Sequence, residues 1–375
     1  MLTIVDENDF HSYLLQNNQI SHLPISQLLF NPSKKWVSNV DTKMHAIIFE
    51  NQLWPMTVNR KEYQNALVCS PYTTYVTYPK GELKKFTKLW IKAVVLLNIV
   101  VMSVVCRLTK FNQVIQVNNN LNSLIKHPQQ FSVLLPALTE KLIFKYPKHA
   151  ITFFRVNGAF DKAFLKALTD NGYLVFPDRA AHVFFPNTDV TQRSHTKRDL
   201  SLLRKSHYMI VPHEALTADD AERLAELYYQ LFIDKHSQCN PIYTVDYFRE
   251  AIQYHWHHYT ALRNSDGRID AFISWFEVEK VMVCGPLGYD SIVDRKMGLY
   301  RQLVALCLQH ANQHQIPFNM GGGSDEFKSN RGSTETMEYT AVYCKHLPFY
   351  RQIPWKMLHW ACNKLIKKIV DNSNF

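Results

Sequence analysis

The apolar positions along the chain change period several times, and each change marks an element. His45–Asn59, "HAIIFENQLWPMTVN", reads as two strands joined by a turn at Glu50–Asn51. A long helix is predicted over 82–107, a strand in "FNQVIQVN", a helix over 128–145 and a strand in "AITFFRV". An amphipathic helix in "AFDKAFLKALTDNGY" stops at Gly172, and "YLVF" and "AHVFFP" read as two short strands. A second set follows: a basic helix over 194–206, a strand in "YMIVP", and helices over 217–236 and 244–257. "HYTALRN" and "RIDAFISWFEVE" read as antiparallel strands across a Ser265–Asp266–Gly267 turn, with "EKVMVCGPLG" as the next strand. A helix over 295–314 carries Leu299, Leu303, Leu306 and His310 on one stripe, and strands follow in "IPFNMGG" and "MEYTAVYCK". The order predicts an α/β (α+β) chain with a mostly antiparallel sheet and two lobes, 1–186 and 187–375.

The segment Leu89–Leu108 requires a membrane test. Its uninterrupted apolar stretch, Ala93–Cys106, holds 14 residues and includes Asn98 and Ser103. A spanning helix needs about 20 apolar residues, so a buried core helix and no integral span are expected, with a membrane-inserted segment as the alternative. The N-terminus has no basic segment followed by a long apolar core, so no leader is expected. Of the seven cysteines none forms a CxxC pair, which points to thiols in a reducing cytoplasm rather than to disulfides or a cysteine-rich zinc site. The formal net charge of +10 favours anionic partners: a nucleotide-bearing donor, an acidic carrier protein, RNA or a membrane surface. Lys197, Arg198, Arg204 and Lys205 form a basic helix face suited to phosphate, or simply to water. No HExxH or comparable ligand spacing accompanies "HWHH", so no metal is expected.

The stretch "NMGGGSDEFKSNRGST", Asn319–Thr334, holds four of the 11 glycines together with Asp325, Glu326 and Lys328. Gly322, Phe327, Lys328 and Gly332 resemble a G-x-x-x-x-[YF]-K-x-x-x-G segment of the Fem-type aminoacyltransferases and cellulose-biosynthesis-type acetyltransferases. Upstream, "RKMGLY" is similar to the acyl-CoA loop, Q/R-x-x-G-x-G/A, of the GCN5-related N-acetyltransferase (GNAT) superfamily. Arg295 and Gly298 match, and Tyr300 stands where a small residue is usual. The motifs cover about residues 280–345. The resemblance implies two tandem GNAT-like lobes and an N-acyltransferase. The donor would be acyl-CoA or an acyl carrier protein thioester, and the acceptor a small-molecule amine in a biosynthetic pathway. A Fem-type enzyme fed by aminoacyl-tRNA and a non-catalytic binding protein are the alternatives.

Acyl transfer from a thioester needs a held donor, a neutral amine and stabilisation of the carbonyl oxygen. Arg295, Gly298, Leu299 and Tyr300 at a helix start, with Gly322 and Gly323 beside them, are the expected donor-binding residues. Lys328 is the expected oxyanion-side cation, or else a surface lysine paired to Asp325 or Glu326. Asp325 or Glu326 can serve as base or as helix cap. Tyr339, which shares a strand face with Tyr343, can protonate a leaving thiolate or pack in the sheet. The tail, with Leu358, Cys362, Leu365, Ile366 and Ile369 at helical spacing, is expected to pack on the second lobe, with a peripheral membrane or carrier-protein contact as the alternative.

Overall fold

A computed structural model describes residues 2–16, 24–83, 88–186 and 193–373. Twelve strands among the described residues form one sheet, in the order β1-β2-β3-β4-β5-β12-β6-β11-β10-β9-β8-β7. The strands are β1 Thr3–Val5, β2 Lys43–Phe49, β3 Gln52–Val58, β4 Val114–Val117, β5 Ala150–Asn157 and β6 Leu174–Phe184. The second half has β7 Met209–Pro212, β8 His258–Arg263, β9 Ile269–Val278, β10 Val281–Tyr289, β11 Phe318–Gly321 and β12 Ser333–Tyr343. Read inward from either edge, the order is five strands of one half followed by the last strand of the other. Each half therefore completes its sheet with a borrowed strand, and β6 and β12 pair along almost their whole length, from Ser333↔Phe184 to Val342↔Leu174. Only β4–β5 and β10–β11 are parallel. The fold is the duplicated, mostly antiparallel mixed sheet that the residue pattern and the resemblance implied.

The main helices are α1 Leu89–Leu108, α2 Phe131–Lys145, α3 Lys162–Asp170, α4 Ser194–Arg204, α5 Asp220–Tyr228, α6 Val245–Gln253, α7 Leu299–Gln313, α8 Asp325–Ser329 and α9 Phe349–Ser373. They cover both faces of each half, as the two-residue period of the strands requires. Ile151 and Phe153 of β5 pack with Phe131, Leu135, Phe164 and Leu168 of α2 and α3, whereas Ala150 packs on the opposite face with Phe111, Phe176 and Trp355. In the second half Val283 and Phe318 pack on Leu303 and Cys307 of α7, and Phe272 packs on Leu224 and Phe248 of α5 and α6.

The two short strands expected around Pro177 are one strand, β6. The sheet accommodates the proline, which has no N–H to give, at a register shift opposite Glu338 and Tyr339. The helix expected over 217–236 is α5 followed by a π-helical segment, Tyr229–Asp234. The largest correction concerns α1. It is not a buried core helix: Cys106 is buried, but Leu89, Trp90, Leu97, Val101 and Leu108 are exposed. An apolar run of this length without a sharp period reads equally as core or as surface, and here only one edge meets the body. No helix among the described residues is long and apolar enough to cross a membrane. The tail packs on the first half and not on the second lobe as expected: Leu358 and Cys362 join Tyr72, Phe111 and Phe176 around Trp355, because β12, which α9 follows, lies in the first half's sheet. The side chains of Leu365, Ile366 and Ile369 lie outside the described residues.

Candidate functional site

In the second half the parallel ladder of β10 and β11 ends after Val283↔Asn319, and β10 breaks register between Cys284 and Leu287. Past that point the two strands diverge, and the glycine-rich turn fills the mouth of the gap. Gly321 and Gly323 have φ of +69° and +76°, which a side chain rarely adopts. A Cβ on Gly322 would lie 2.8 Å from the Ala180 carbonyl oxygen. Lys328, in the short helix α8, turns back under this loop and is buried. Its ammonium donates to the carbonyl oxygens of Met320, Gly321 and Gly322 at 3.0, 2.9 and 2.9 Å. All three protons are thereby taken by backbone. Burial pulls the ammonium down to about 8, and the same burial pushes the neighbouring Cys284 thiol up to about 11.

The start of α7 lies against this turn. Gly298 has φ +60° and caps the helix, and the Asp294 carboxylate accepts from the Lys296 N–H at 2.9 Å. Arg295 is exposed and Leu299 is in the core. Tyr300 stacks at 4.9 Å on Phe327 of α8, so the two segments that the sequence singled out are in contact. α4 covers the helix start from outside: a Cβ on Gly298 would fall 2.7 Å from Leu202 Cδ2. Beside that cover, buried Asp199 of α4 holds two guanidiniums, Arg301 at 2.7 Å and Arg331. Arg331 also lies over the Phe327 ring at 3.4 Å and donates to the Phe327 carbonyl at 2.7 Å. Together with His195, Arg198 and Glu326, Arg301, Phe327 and Arg331 line an open hollow of about 460 Å³. Its lining holds three guanidiniums and one carboxylate, Glu326, with buried Asp199 behind two of the guanidiniums, which leaves the hollow net positive.

The other expected residues are placed as follows. Asp325, with a largely exposed carboxylate, is bonded at 3.1 Å to Nε2 of the fully buried His182, whose Nδ1 lies 3.0 Å from Ser333 Oγ. Glu326 lines the hollow. Tyr339 is not brought to this site: it pairs with Val156 and Pro177 in the first half and packs in the cluster of α2 and α3. Tyr343 packs at a tilt against Tyr173, with the ring centres 5.2 Å apart. His255 of "HWHH" stacks on His213 at 4.4 Å, and no group of three or more metal-ligating side chains occurs among the described residues. Sequence reasoning missed His182, His195, Asp199, Arg301 and Arg331. Arg331 carries a signal, since it precedes the glycine that ends the motif. The others become neighbours only through strand exchange and the packing of α4.

The first half has the same geometry with different occupants. Its parallel ladder ends after Gln116↔Thr152, and His127 Nε2 lies 2.7 Å from the carbonyl oxygen of Phe154, two residues on. That is the same offset at which Lys328 meets Gly321 beyond Asn319. Arg155 has φ +57° where the second half has a glycine, and its guanidinium is bonded to Asp178. At the entry to α2, the Glu279 carboxylate accepts from the Gln129 N–H at 2.9 and 3.1 Å. Lys126, buried beside it, pairs with Asp161 at 2.8 Å and with Glu279 at 3.4 Å.

No family model matches the chain, and no curated protein matches it in sequence. Among solved structures it is similar to L-PGS from Bacillus licheniformis, at 14% identity over 61% of this chain and 77% of that one, with a TM-score of 0.46. FemX is similar at 11% identity over 60% and 79%, TM-score 0.46. A tandem GNAT protein from the clavulanic acid biosynthesis pathway is similar at 10% identity over 93% and 99%, TM-score 0.39. These are remote likenesses of fold.

Proposed function

We propose that the chain is an acyltransferase that moves an acyl group from a phosphate-bearing thioester donor to an amine, with its chemistry in the second half. The observation that carries this reading is the contact of the α7 start with the lysine-bearing turn, opening on the guanidinium-lined hollow. Arg198, Arg301 and Arg331 suit the phosphates of an acyl-CoA or of a carrier-protein prosthetic arm. The acyl carbonyl would enter beside the Gly321–Gly323 turn. The amine nitrogen attacks the carbonyl carbon, the carbon–sulfur bond breaks, and the amine proton passes to the Asp325–His182 pair and from there to the departing thiolate, which leaves as the thiol. Lys328, with every proton committed, acts as a positioning residue that sets the curve of the turn.

The cover over Gly298 favours phosphates bound outside, on side chains, over phosphates bound to helix amides. The same observation supports a second reading in which the donor is an aminoacyl-tRNA whose backbone rests on that surface. Thermal shift with acetyl-CoA, longer acyl-CoAs, acylated carrier protein and aminoacyl-tRNA tests both, followed by mass spectrometry of amine products. Stabilisation by a thioester donor that Arg198→Ala removes is the expected result. Stabilisation by aminoacyl-tRNA alone, steeply weakened by salt, favours the second reading. Stabilisation by none of them contradicts both.

A further inference from the structure

α1 runs for 20 residues, about 30 Å at the usual helical rise, and is apolar on almost every side. Ile99, Met102 and Cys106 mark the edge that packs on the body, against Tyr72, Phe111 and Trp355. The opposite edge is bare. Leu89, Trp90, Leu97 and Leu108 are 81, 68, 65 and 73% exposed, and Val101 and Val104 are also exposed. At 100° per residue these six side chains fall within an arc of about 120°, so they form one continuous stripe. A helix apolar on all sides belongs either in a core or in lipid, and this one is covered on one edge only.

The charges along this stretch of sequence have one sign. From Leu83 to Thr139 the sequence contains no aspartate or glutamate. Lys88 and Lys92 stand at one end of α1, and Arg107 and Lys110 at the other. The beginning of α9 is fastened to that second end, where Arg351 donates to the carbonyls of Thr109 and Lys110. α9 adds Trp360, 63% exposed, with the Lys364 ammonium 4.8 Å from its ring. Basic residues at both ends of an apolar stripe, with tryptophans nearby, match a bilayer: the stripe enters the acyl boundary while the ammonium groups reach lipid phosphates.

We propose that the exposed stripe of α1, assisted by Trp360, docks the protein in the plane of a membrane surface rich in anionic phospholipid. The packed edge of α1 keeps the helix parallel to the surface. A protein partner would leave the end charges without partners along a straight edge, whereas a sheet of lipid phosphates meets both ends at once.

The test is flotation of the full chain with phosphatidylglycerol-containing vesicles and with pure phosphatidylcholine vesicles. The chain should float with the anionic vesicles, its tryptophan emission should shift to the blue, and added salt should weaken binding. The triple variant Trp90→Glu, Leu97→Glu, Val101→Glu should bind at least ~10-fold more weakly. Its thermal midpoint should be unchanged, because these side chains face solvent. Neutralising the ends with Lys88→Gln, Lys92→Gln and Lys110→Gln gives a second variant that keeps the stripe, and it should lose the preference for anionic lipid. Failure of the native chain to float with either vesicle overturns the proposal. So does undiminished flotation of the glutamate variant, or a concentration-dependent dimer that Leu97→Glu dissolves in the absence of vesicle binding.

Discussion

The two halves place the same gap between parallel strands and fill it differently. In the first half His127 occupies the gap, Arg155 and Asp178 close it with an ion pair, and Glu279 from the other half sits at the α2 entry. A carboxylate is already bound at the amides of that helix start. In the second half the glycine turn around Lys328 fills the gap, and the helix start lies beside a hollow lined by exposed Arg198, half-exposed Arg301 and buried Arg331. One half thus closes its gap with an internal ion pair, and the other leaves Arg198 and part of Arg301 open to a hollow. The first half reads as scaffold and the second as the candidate site.

Acid should break this comparison most strongly. Burial pulls His45 and His149 of the first half down to about 4, and His257 of the second half down to about 3. The unfolded chain takes up protons near the ordinary histidine value of about 6.5, so it binds more protons than the folded chain just below that pH. Stability is therefore level above about pH 6.5 and falls from there down to the folded values, by about 3 kcal/mol for each of His45 and His149 and about 5 kcal/mol for His257. Urea titrations at stepped pH should show this loss, and a flat profile down to pH 4 would contradict the buried neutral rings.

Replacing Lys328 by Met leaves three carbonyls without their donor and should destabilise by about 3 kcal/mol in urea unfolding. A change within about 0.5 kcal/mol would mean that the lysine does not hold the turn. Arg198→Ala or Arg301→Ala should weaken donor binding by about tenfold, the effect of losing one charged hydrogen bond, while Glu279→Ala leaves donor binding unchanged. Equal losses from both kinds of variant would erase the distinction between the halves. The smallest effect belongs to Glu279→Gln, about 1 kcal/mol of stability from a weakened cap at the α2 entry.

Much of this architecture is written locally. The Glu50–Asn51 and Gly267 turns, the α7 stripe and the glycine run at 321–323 each specify their element through backbone conformation or period. The contact of α7 with the turn was legible because the two motifs lie close together in sequence. The exchange of β6 and β12 was not, since nothing in either strand states which neighbour it will pair with. The partners of Lys328 are carbonyls, which have no side-chain signature. Asp199 reaches Arg331 across more than a hundred residues, and α1 misled because hydrophobicity alone does not say what covers a helix.

The claim that only the second half receives a donor is tested most directly by hydrogen exchange of the full chain with and without saturating acyl-CoA, acylated carrier protein or aminoacyl-tRNA. The account predicts that at least one of these slows exchange in Ser194–Arg204, Arg295–Leu303 and Asp325–Gly332, and leaves Asn118–Phe131 unchanged. Protection centred on Asn118–Phe131, or on neither region with any donor, would contradict it.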